Sequence, residues 1–234
     1  PHLYRRRQRQ MCIRDSPKGV LNLVNGDGPT LGGWLLPDER IAGVSFTGSH
    51  PSARVINRQL ALRDGPIIPL IAETGGINCM VVDSTALPEQ VVDDVITSAF
   101  RSAGQRCSAL RVLFVQSDVA DGVIELLAGA MKELNVGDPH KLSTDVGPVI
   151  DQAAHDRISA HLMHLKETAT FIAKSPSADP KLNGYFVEPQ AWEISSLSVL
   201  HEEVFGPVLH IVRYHSEELD TIIKDIRSSK FALT

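Results

Sequence analysis

Short apolar runs alternate along this chain with stretches whose apolar residues recur at helical spacing. Between residues 18 and 83, four runs have the composition of strands: KGVLNLVNG, IAGVSFTGS, IIPLIAETGG and CMVVD. A short helix is predicted around Thr30–Leu36, and SARVINRQLALRD carries Ala53, Ile56 and Leu60 on one helical face. This order of strand, turn, helix and strand favours parallel strands joined by right-handed crossovers.

The same alternation continues from Leu87 to the end of the chain. Helices are predicted over residues 87–104, 119–137, 152–169 and 216–229, and strands over residues 109–116, 170–175, 185–194 and 207–214. Residues 175–184, rich in Pro, Ser and Asp, are the strongest loop candidate. The predicted fold class is α/β. A division near Gly75 and Gly76 is predicted to separate the end of one domain, residues 17–74, from most of a second domain, residues 75–234.

The first 16 residues differ in composition from the rest. They contain five arginines and one acid, Asp15, and without them the formal net charge changes from −5 to −9. A basic targeting arm or a nucleic-acid tail are two interpretations of such a segment. We favour a third, that residues 1–16 are a non-native leader, and we exclude them from the fold prediction. The abrupt start at Pro17 and the abrupt end at SSKFALT predict a fragment of a longer protein.

The remaining composition argues against several classes of protein. No apolar run approaches the ~20 residues that span a bilayer, and the net charge and sparse aromatic residues give no surface for nucleic acid. Three cysteines without regular spacing argue against a disulfide framework and for a reducing, cytoplasmic compartment. No zinc-ligand spacing is present. Three histidines on one predicted helix are expected to form a solvated face rather than a metal site: His155, His161 and His164.

Two glycine-bearing segments contain a possible nucleophile and a possible base. IAETGG at 71–76 contains Glu73, and GQRCSALR at 104–111 contains Cys107. A thiolate can attack a substrate carbon, and a carboxylate beside glycine can approach that substrate closely. A free cysteine is commonly a small buried hydrophobe, an interpretation that fits Cys79 in its apolar run better than Cys107 in its polar turn. From these residues alone, a structural role is still the favoured interpretation of Cys107, and Glu73 is also compatible with a surface position in a turn.

Two further segments suggest nucleotide binding. FTGS at 46–49 joins a predicted strand to a predicted helix, where backbone N–H groups favour phosphate. EEVFGPV at 202–208 puts acidic residues and an aromatic residue before a strand. Each segment is also compatible with an ordinary connection, and the dinucleotide fingerprint GxGxxG is absent.

These four motifs, in this order along the chain, resemble the aldehyde dehydrogenase superfamily. The resemblance covers residues 17–234. Within the superfamily, AETGG and GQRCSALR are similar to the glutamate-semialdehyde (1-pyrroline-5-carboxylate) dehydrogenases, including the C-terminal modules of bifunctional proline-utilization proteins. The resemblance implies the end of a Rossmann-type NAD-binding domain followed by most of an α/β catalytic domain.

The resemblance also implies roles for individual residues. Cys107 would attack the aldehyde carbon, Glu73 would activate water, and Ser108 would bind the carboxylate of the substrate. The NAD contacts implied are Thr47, Gly48 and Ser49 at the pyrophosphate, Glu203 at the nicotinamide ribose and Phe205 beside the nicotinamide. The implied substrate is a small aldehyde, and the implied parent protein is a homo-oligomer, with or without a fused proline dehydrogenase domain.

Other interpretations stay open from the sequence. A dehydrogenase for a different aldehyde would share most of these motifs, and a non-catalytic module would keep the fold without turnover. Retention of Glu73, Cys107, Glu203 and Phe205 together disfavours the non-catalytic module. A thiol hydrolase is disfavoured because no histidine is near Cys107 in sequence. In GSHPSA, His50 and Pro51 replace the Thr-Glu that is usual in the family, although proline is tolerated early in a helix.

We expect the 234-residue chain to be inactive by itself while its full-length parent is active. The family takes a second oxyanion donor, an asparagine, and its contacts to the adenosine end of NAD from segments that this sequence does not contain. The check is NADH formation by the purified chain with glutamate semialdehyde and NAD⁺. Turnover above the rate without protein would contradict this expectation.

Overall fold

The computed structural model describes residue 17 and residues 19–229. The chain divides into two compact units. The first comprises the described residues up to Thr47 together with Pro51–Ala72, and the second comprises Gly48–His50 and the described residues from Glu73 onward.

In the described residues before Gly75, the chain forms two helices and a two-stranded sheet. In chain order they are α1 (Gly28–Leu35), β1 (Val44–Gly48), α2 (His50–Ala61) and β2 (Leu70–Thr74), with β1 beside β2. Asp27 begins α1 by accepting a hydrogen bond from the N–H of Thr30 at 2.9 Å. Both predicted helices are therefore confirmed.

One strand prediction in this region is wrong, and another is right in position but not in burial. Residues 19–27 contain no strand, and their apolar side chains, such as Val20 and Leu23, are more than half exposed. A strand needs a neighbour for its backbone hydrogen bonds, and the described part of the chain gives these residues none. The strand β2 forms as predicted but is mostly exposed rather than buried.

A five-stranded sheet is the centre of the second unit. Its strands are β3 (Asn78–Val82), β4 (Leu110–Gln116), β5 (Thr170–Lys174), β6 (Gln190–Glu193) and β7 (Val208–Tyr214), and their order across the sheet is β3-β4-β7-β6-β5. All neighbours pair in parallel except β5 and β6. That pair is antiparallel because a loop, including the predicted loop 175–184, returns the chain directly, and antiparallel strands need no crossover helix.

The helices of this unit bury one face each. They are α3 (Pro88–Val95), α4 (Ser117–Lys132), α5 (Gln152–Thr168) and α6 (Leu219–Ser228). In α4 the buried residues recur at helical spacing: Ala120, Val123, Ile124, Leu127 and Met131. All seven residues of β4 are buried, as expected for a parallel strand with both faces covered. The core therefore lies around β4 and β7.

The helix predicted over residues 87–104 changes form before its end. After α3 the chain continues as a π-helix, Ile96–Phe100, and then as a short 3₁₀-helix, Arg101–Gly104. A single regular helix was therefore the wrong prediction for the second half of this segment. Single-turn π-helices within α-helices are frequent at functional sites, and this one is separated from the turn that carries Cys107 only by the short 3₁₀-helix.

A pair of histidines, His210 buried and His161 partly buried, joins α5 to β7. His161 Nε2 lies 2.8 Å from His210 Nε2, and His210 Nδ1 lies 2.9 Å from the carbonyl oxygen of Arg111. Because a carbonyl only accepts, Nδ1 of His210 carries its proton, and Nε2 of His210 accepts from the N–H of His161. The predicted solvated face of α5 is therefore wrong at His161. Burial lowers the pKa of His210 to about 3 and that of His161 to about 4.

We expect acid to destabilise the fold through this pair. Both pKa values are lower in the folded chain, so the unfolded chain binds more protons, and stability falls as the pH is lowered from about 6.5 towards 4. His210→Asn keeps a side-chain N–H for the Arg111 carbonyl but does not titrate. Its loss of unfolding free energy over this window should be smaller than that of the wild type by on the order of 2 kcal/mol.

Denaturant unfolding at a series of pH values measures this difference. His164→Asn is the matched control because His164 is exposed on the same helix. An equal loss of stability in wild type and His210→Asn would contradict the prediction.

Candidate active site

Cys107 lies in a turn between the 3₁₀-helix Arg101–Gly104 and β4, with its side chain exposed. Three residues ahead of the turn have left-handed backbone conformations, with φ of 59° at Ser102, 52° at Ala103 and 63° at Gly104. A left-handed conformation is unfavourable for residues that have a Cβ. The surrounding contacts therefore hold this stretch in place.

Gly104 marks a close approach of two loops. A Cβ atom built on Gly104 would collide with the backbone carbonyl group of Gly206. Only glycine fits this position, both for its positive φ and for the space available. The turn of Cys107 and the loop of residues 203–206 are thus in backbone contact.

Asn78 fastens the backbone of the Cys107 turn to the sheet. Its side-chain Nδ2 donates hydrogen bonds to the carbonyl oxygen of Cys107 at 2.7 Å and to that of Ala109 at 2.8 Å. Asn78 is only 4% exposed, so these bonds form away from water, where leaving them unmade is costly. The backbone of the turn is fixed while the thiol stays accessible.

The π-helix supplies acceptors for a second anchor. Arg106 Nη2 donates to the carbonyl oxygens of Thr97 at 2.8 Å and Ser98 at 3.0 Å. The hydroxyl of Ser98 accepts from the N–H of Leu110 at 3.1 Å. The side chain of Arg106 therefore ties the turn, at the position just before Cys107, to the π-helix Ile96–Phe100.

Arg111, on β4, connects the two loops with one buried guanidinium group. Nη1 donates to the carbonyl oxygens of Gly104 at 2.7 Å and Gly206 at 3.3 Å. Nη2 donates to the carbonyl oxygen of Arg106 at 3.0 Å and to Oε1 of Glu203 at 2.8 Å. The Arg111 side chain is 1% exposed and that of Glu203 is 15% exposed. Burial lowers the pKa of Arg111, and the hydrogen bond and charge of Glu203 oppose that shift.

Glu203 and Phe205 both contact the Arg111 cation. The guanidinium carbon of Arg111 is 5.3 Å from the centroid of the Phe205 ring, within cation–π range. The other carboxylate oxygen of Glu203, Oε2, lies against Gly75, where an added Cβ would collide with it. The AETGG and EEVFGPV motifs are therefore in contact, as are GQRCSALR and EEVFGPV.

Glu73 stands two residues before this contact, near the end of β2, with an exposed side chain. No hydrogen bond or ion pair joins its carboxylate to the Cys107 turn in the described part of the chain. Glu73 is connected to the site through the backbone of Thr74 and Gly75. Ser108, next to the nucleophile candidate, is also exposed.

The FTGS segment forms a tight strand-to-helix connection. β1 ends at Gly48, α2 begins at His50, and Ser49 alone separates them. The first turn of α2 has no acidic residue, and Pro51 does not prevent the helix from starting. The N-terminus of a 12-residue helix favours an anion through its dipole. Thr47, Gly48 and Ser49 are all exposed at this end.

The two described cysteines differ in environment. Cys107 is exposed, whereas Cys79 on β3 is partly buried and directs its Sγ to the carbonyl oxygen of Ile77 at 3.2 Å. Burial raises the pKa of the Cys79 thiol to about 11. Cys79 therefore stays protonated near neutral pH and has the structural role expected from its sequence context. Among the described residues, no group of three or more His, Cys, Asp or Glu side chains is arranged to hold a metal ion.

Sequence reasoning missed two residues of this site, Arg111 and Asn78. Arg111 had a detectable signal, because ALRVLFVQ puts one charged residue inside a run that reads as a buried strand. A buried charge is rarely tolerated without a partner. Asn78 gave no such signal, since an asparagine ahead of a strand is an ordinary residue.

Comparison with known proteins identifies the family of this chain. A sequence model of the aldehyde dehydrogenase family matches residues 10–234. The chain therefore belongs to the aldehyde dehydrogenase family, and its fold is the α/β fold of that family. Members of this family generally depend on NAD(P).

Among curated proteins, the chain is 48% identical over 226 residues to Bifunctional protein PutA of Escherichia coli K12, covering 93% of this chain and 17% of the relative. It is 32% identical to 1-pyrroline-5-carboxylate dehydrogenase of Geobacillus thermodenitrificans, covering 93% of this chain and 42% of that protein. A crystal structure of a mutant of Bradyrhizobium japonicum proline utilization A (PutA) superposes with a TM-score of 0.93 at 51% identity, covering 100% of this chain and 24% of that one. The chain thus spans only about a sixth of the length of the PutA relative from E. coli.

No helix in the described residues is long and apolar enough to cross a membrane.

Alkylation is expected to distinguish the two described thiols. With iodoacetamide at pH 8, Cys107 should react about tenfold faster than Cys79 or more, because Cys79 is shielded and its pKa is raised. Mass spectrometry of the labelled peptides measures each rate separately. In denaturant the two rates should converge, and similar rates in the folded chain would contradict the assignment.

Proposed function

We propose that the protein containing this chain oxidises L-glutamate 5-semialdehyde to L-glutamate with NAD⁺ through a covalent bond to Cys107. The observation that carries the proposal is the contact network of Arg111. It joins the turn of an exposed thiol to a loop bearing a carboxylate and an aromatic ring. The names of the relatives, Bifunctional protein PutA and 1-pyrroline-5-carboxylate dehydrogenase, support this substrate and this pathway of proline degradation.

Cys107 is the nucleophile in this mechanism. Its thiolate attacks the aldehyde carbon, forming a C–S bond and a thiohemiacetal oxyanion that the backbone N–H of Cys107 stabilises. Loss of hydride from the same carbon leaves a thioester on Cys107. Asn78 and Arg106 keep the backbone of the turn rigid through these steps, so the sulfur does not move away as the bond forms.

Glu73 completes the cycle. Its carboxylate takes a proton from water, which attacks the thioester carbon, releases glutamate and returns the Cys107 thiol. An exposed side chain on a strand that runs into two glycines has room to reach that water. Ser108, exposed beside the thiol, would donate a hydrogen bond to the α-carboxylate of the substrate and so contribute to the choice of aldehyde.

The residues present fit a nicotinamide dinucleotide. Glu203 has carboxylate acceptor capacity beyond its bond to Arg111 and lies against a glycine, so a ribose hydroxyl has both an acceptor and space. Phe205 is 44% exposed and offers its ring beside that carboxylate. Thr47, Gly48 and Ser49 at the start of α2 suit a pyrophosphate. When bound, the nicotinamide ring accepts the hydride.

The domain assignment follows from the same roles. Residues 17–74 would be the end of the NAD-binding domain and residues 75–234 the catalytic domain, while residues 1–16, for which the sequence favoured a non-native leader, lie outside the described residues. We further propose a cytoplasmic homo-oligomeric parent in which a proline dehydrogenase domain supplies the precursor of the aldehyde. A reducing compartment would keep Cys107 as a thiol.

Replacing the nucleophile is expected to abolish turnover. In the full-length protein that contains this chain, Cys107→Ala should lower the rate of NADH formation with glutamate semialdehyde by about 10³-fold or more. Cys79→Ala is the matched control and should retain activity. Activity that survives in Cys107→Ala would remove this residue from the nucleophile role. Wild-type turnover of another aldehyde only would point to a different substrate, and no turnover of any aldehyde would point to a non-catalytic module.

A further inference from the structure

The buried Arg111 side chain is the group that the proposed mechanism leaves without a role. It sits on β4, whose other six side chains are apolar except for Gln116 at the end of the strand. Its four Nη hydrogens are matched by four acceptors, three backbone carbonyls and one carboxylate. The acceptors come from two separate loops, two from residues 104–106 and two from residues 203–206.

Only a guanidinium group fits this set of acceptors. Arginine presents its donors in a planar fork, whereas a lysine ammonium has three donors on a single nitrogen. A lysine at position 111 would keep the charge but would leave at least one of the four acceptors unpaired. The buried cation also holds the Glu203 carboxylate at a defined place, because that carboxylate balances its charge.

We propose that Arg111 is a positioning residue that sets the spacing between the Cys107 turn and the loop of Glu203 and Phe205. This inference rests on the proposed function, in which the first loop holds the substrate carbon and the second holds the nicotinamide ribose. Hydride transfer requires the substrate carbon and the nicotinamide to lie at a fixed separation. One cation bonded to both loops therefore aligns the thiol with the cofactor without touching either.

The kinetic test uses the full-length protein with substitutions at Arg111 and Glu203, alone and combined. Arg111→Met removes the donors and the charge, and Arg111→Lys keeps the charge. The KM for NAD⁺ should rise and kcat should fall. As a result, kcat/KM for NAD⁺ should drop by about 10²-fold in Arg111→Met and by less in Arg111→Lys. In a Glu203→Gln background, Arg111→Lys should add less than about twofold to the KM for NAD⁺, because the two residues act on that parameter together.

Arg213→Met is the matched control. Arg213 lies on β7 of the same sheet and pairs with Asp121 at 2.7 Å and Glu193 at 3.1 Å, but it contacts neither loop. It should leave the KM for NAD⁺ within about twofold of wild type. Equal changes in KM for Arg111→Lys and Arg213→Met, or a full additive effect in the Glu203→Gln background, would overturn the proposal.

A second measurement does not depend on enzyme activity. In the chain itself, Arg111→Lys should change the iodoacetamide rate of Cys107 by about fivefold or more, while Cys79 stays protected. Cys79 reports unfolding, because a disrupted fold would expose it. A Cys107 rate within about twofold of wild type, with Cys79 protected, would overturn the proposal. If the parent protein oxidises no aldehyde while the Cys107 rate changes, the proposed function fails and the placement of the turn by Arg111 stands.

Discussion

The arrangement of the candidate site depends on one buried cation. Arg111 is carried by a strand whose seven residues are all buried, so its guanidinium enters the site from inside the core. Removing one partner from a buried ion pair typically costs 3–5 kcal/mol, because the other charge is left without compensation. The loops around it thus have a strong energetic reason to stay together, although neither belongs to an α-helix or a strand.

This explains how irregular segments can form a defined site. The Cys107 turn is held by donors from three directions, Asn78 on β3, Arg106 within the turn and Arg111 on β4. Strands β3 and β4 are paired neighbours in a parallel sheet. Because β3, β4 and β7 run parallel, Asn78 at the start of β3, the Cys107 turn before β4 and residues 203–206 before β7 meet at the edge formed by the amino ends of these strands. The rigid sheet therefore fixes where the two loops end, and hydrogen bonds to their carbonyls fix the rest.

Much of this could be predicted from the sequence. Continuous apolar runs predict strands such as Leu110–Gln116 and Val208–Tyr214, and a periodic apolar face predicts α4. The segment before Cys107 could not be predicted, because ITSAFRSAG continues the helical pattern of α3 while tertiary contacts turn it into a π-helix and a left-handed stretch. The ion pair between Arg111 and Glu203 could not be predicted either. The two residues are 92 positions apart, and a single sequence does not show which residues meet in space. The roles of Cys107, Glu73 and the other candidate residues stay predictions.

The contact between Gly104 and Gly206 has a consequence of its own. The Arg111 guanidinium bonds to both carbonyls, but the close approach itself is backbone against backbone. Ionic strength and pH weaken charge pairs, but they do not act on a steric contact of this kind. The lower limit on the distance between the two loops is therefore independent of solution conditions. Any mutation at Gly104 would push the loops apart by adding volume, whatever the chemistry of the new side chain.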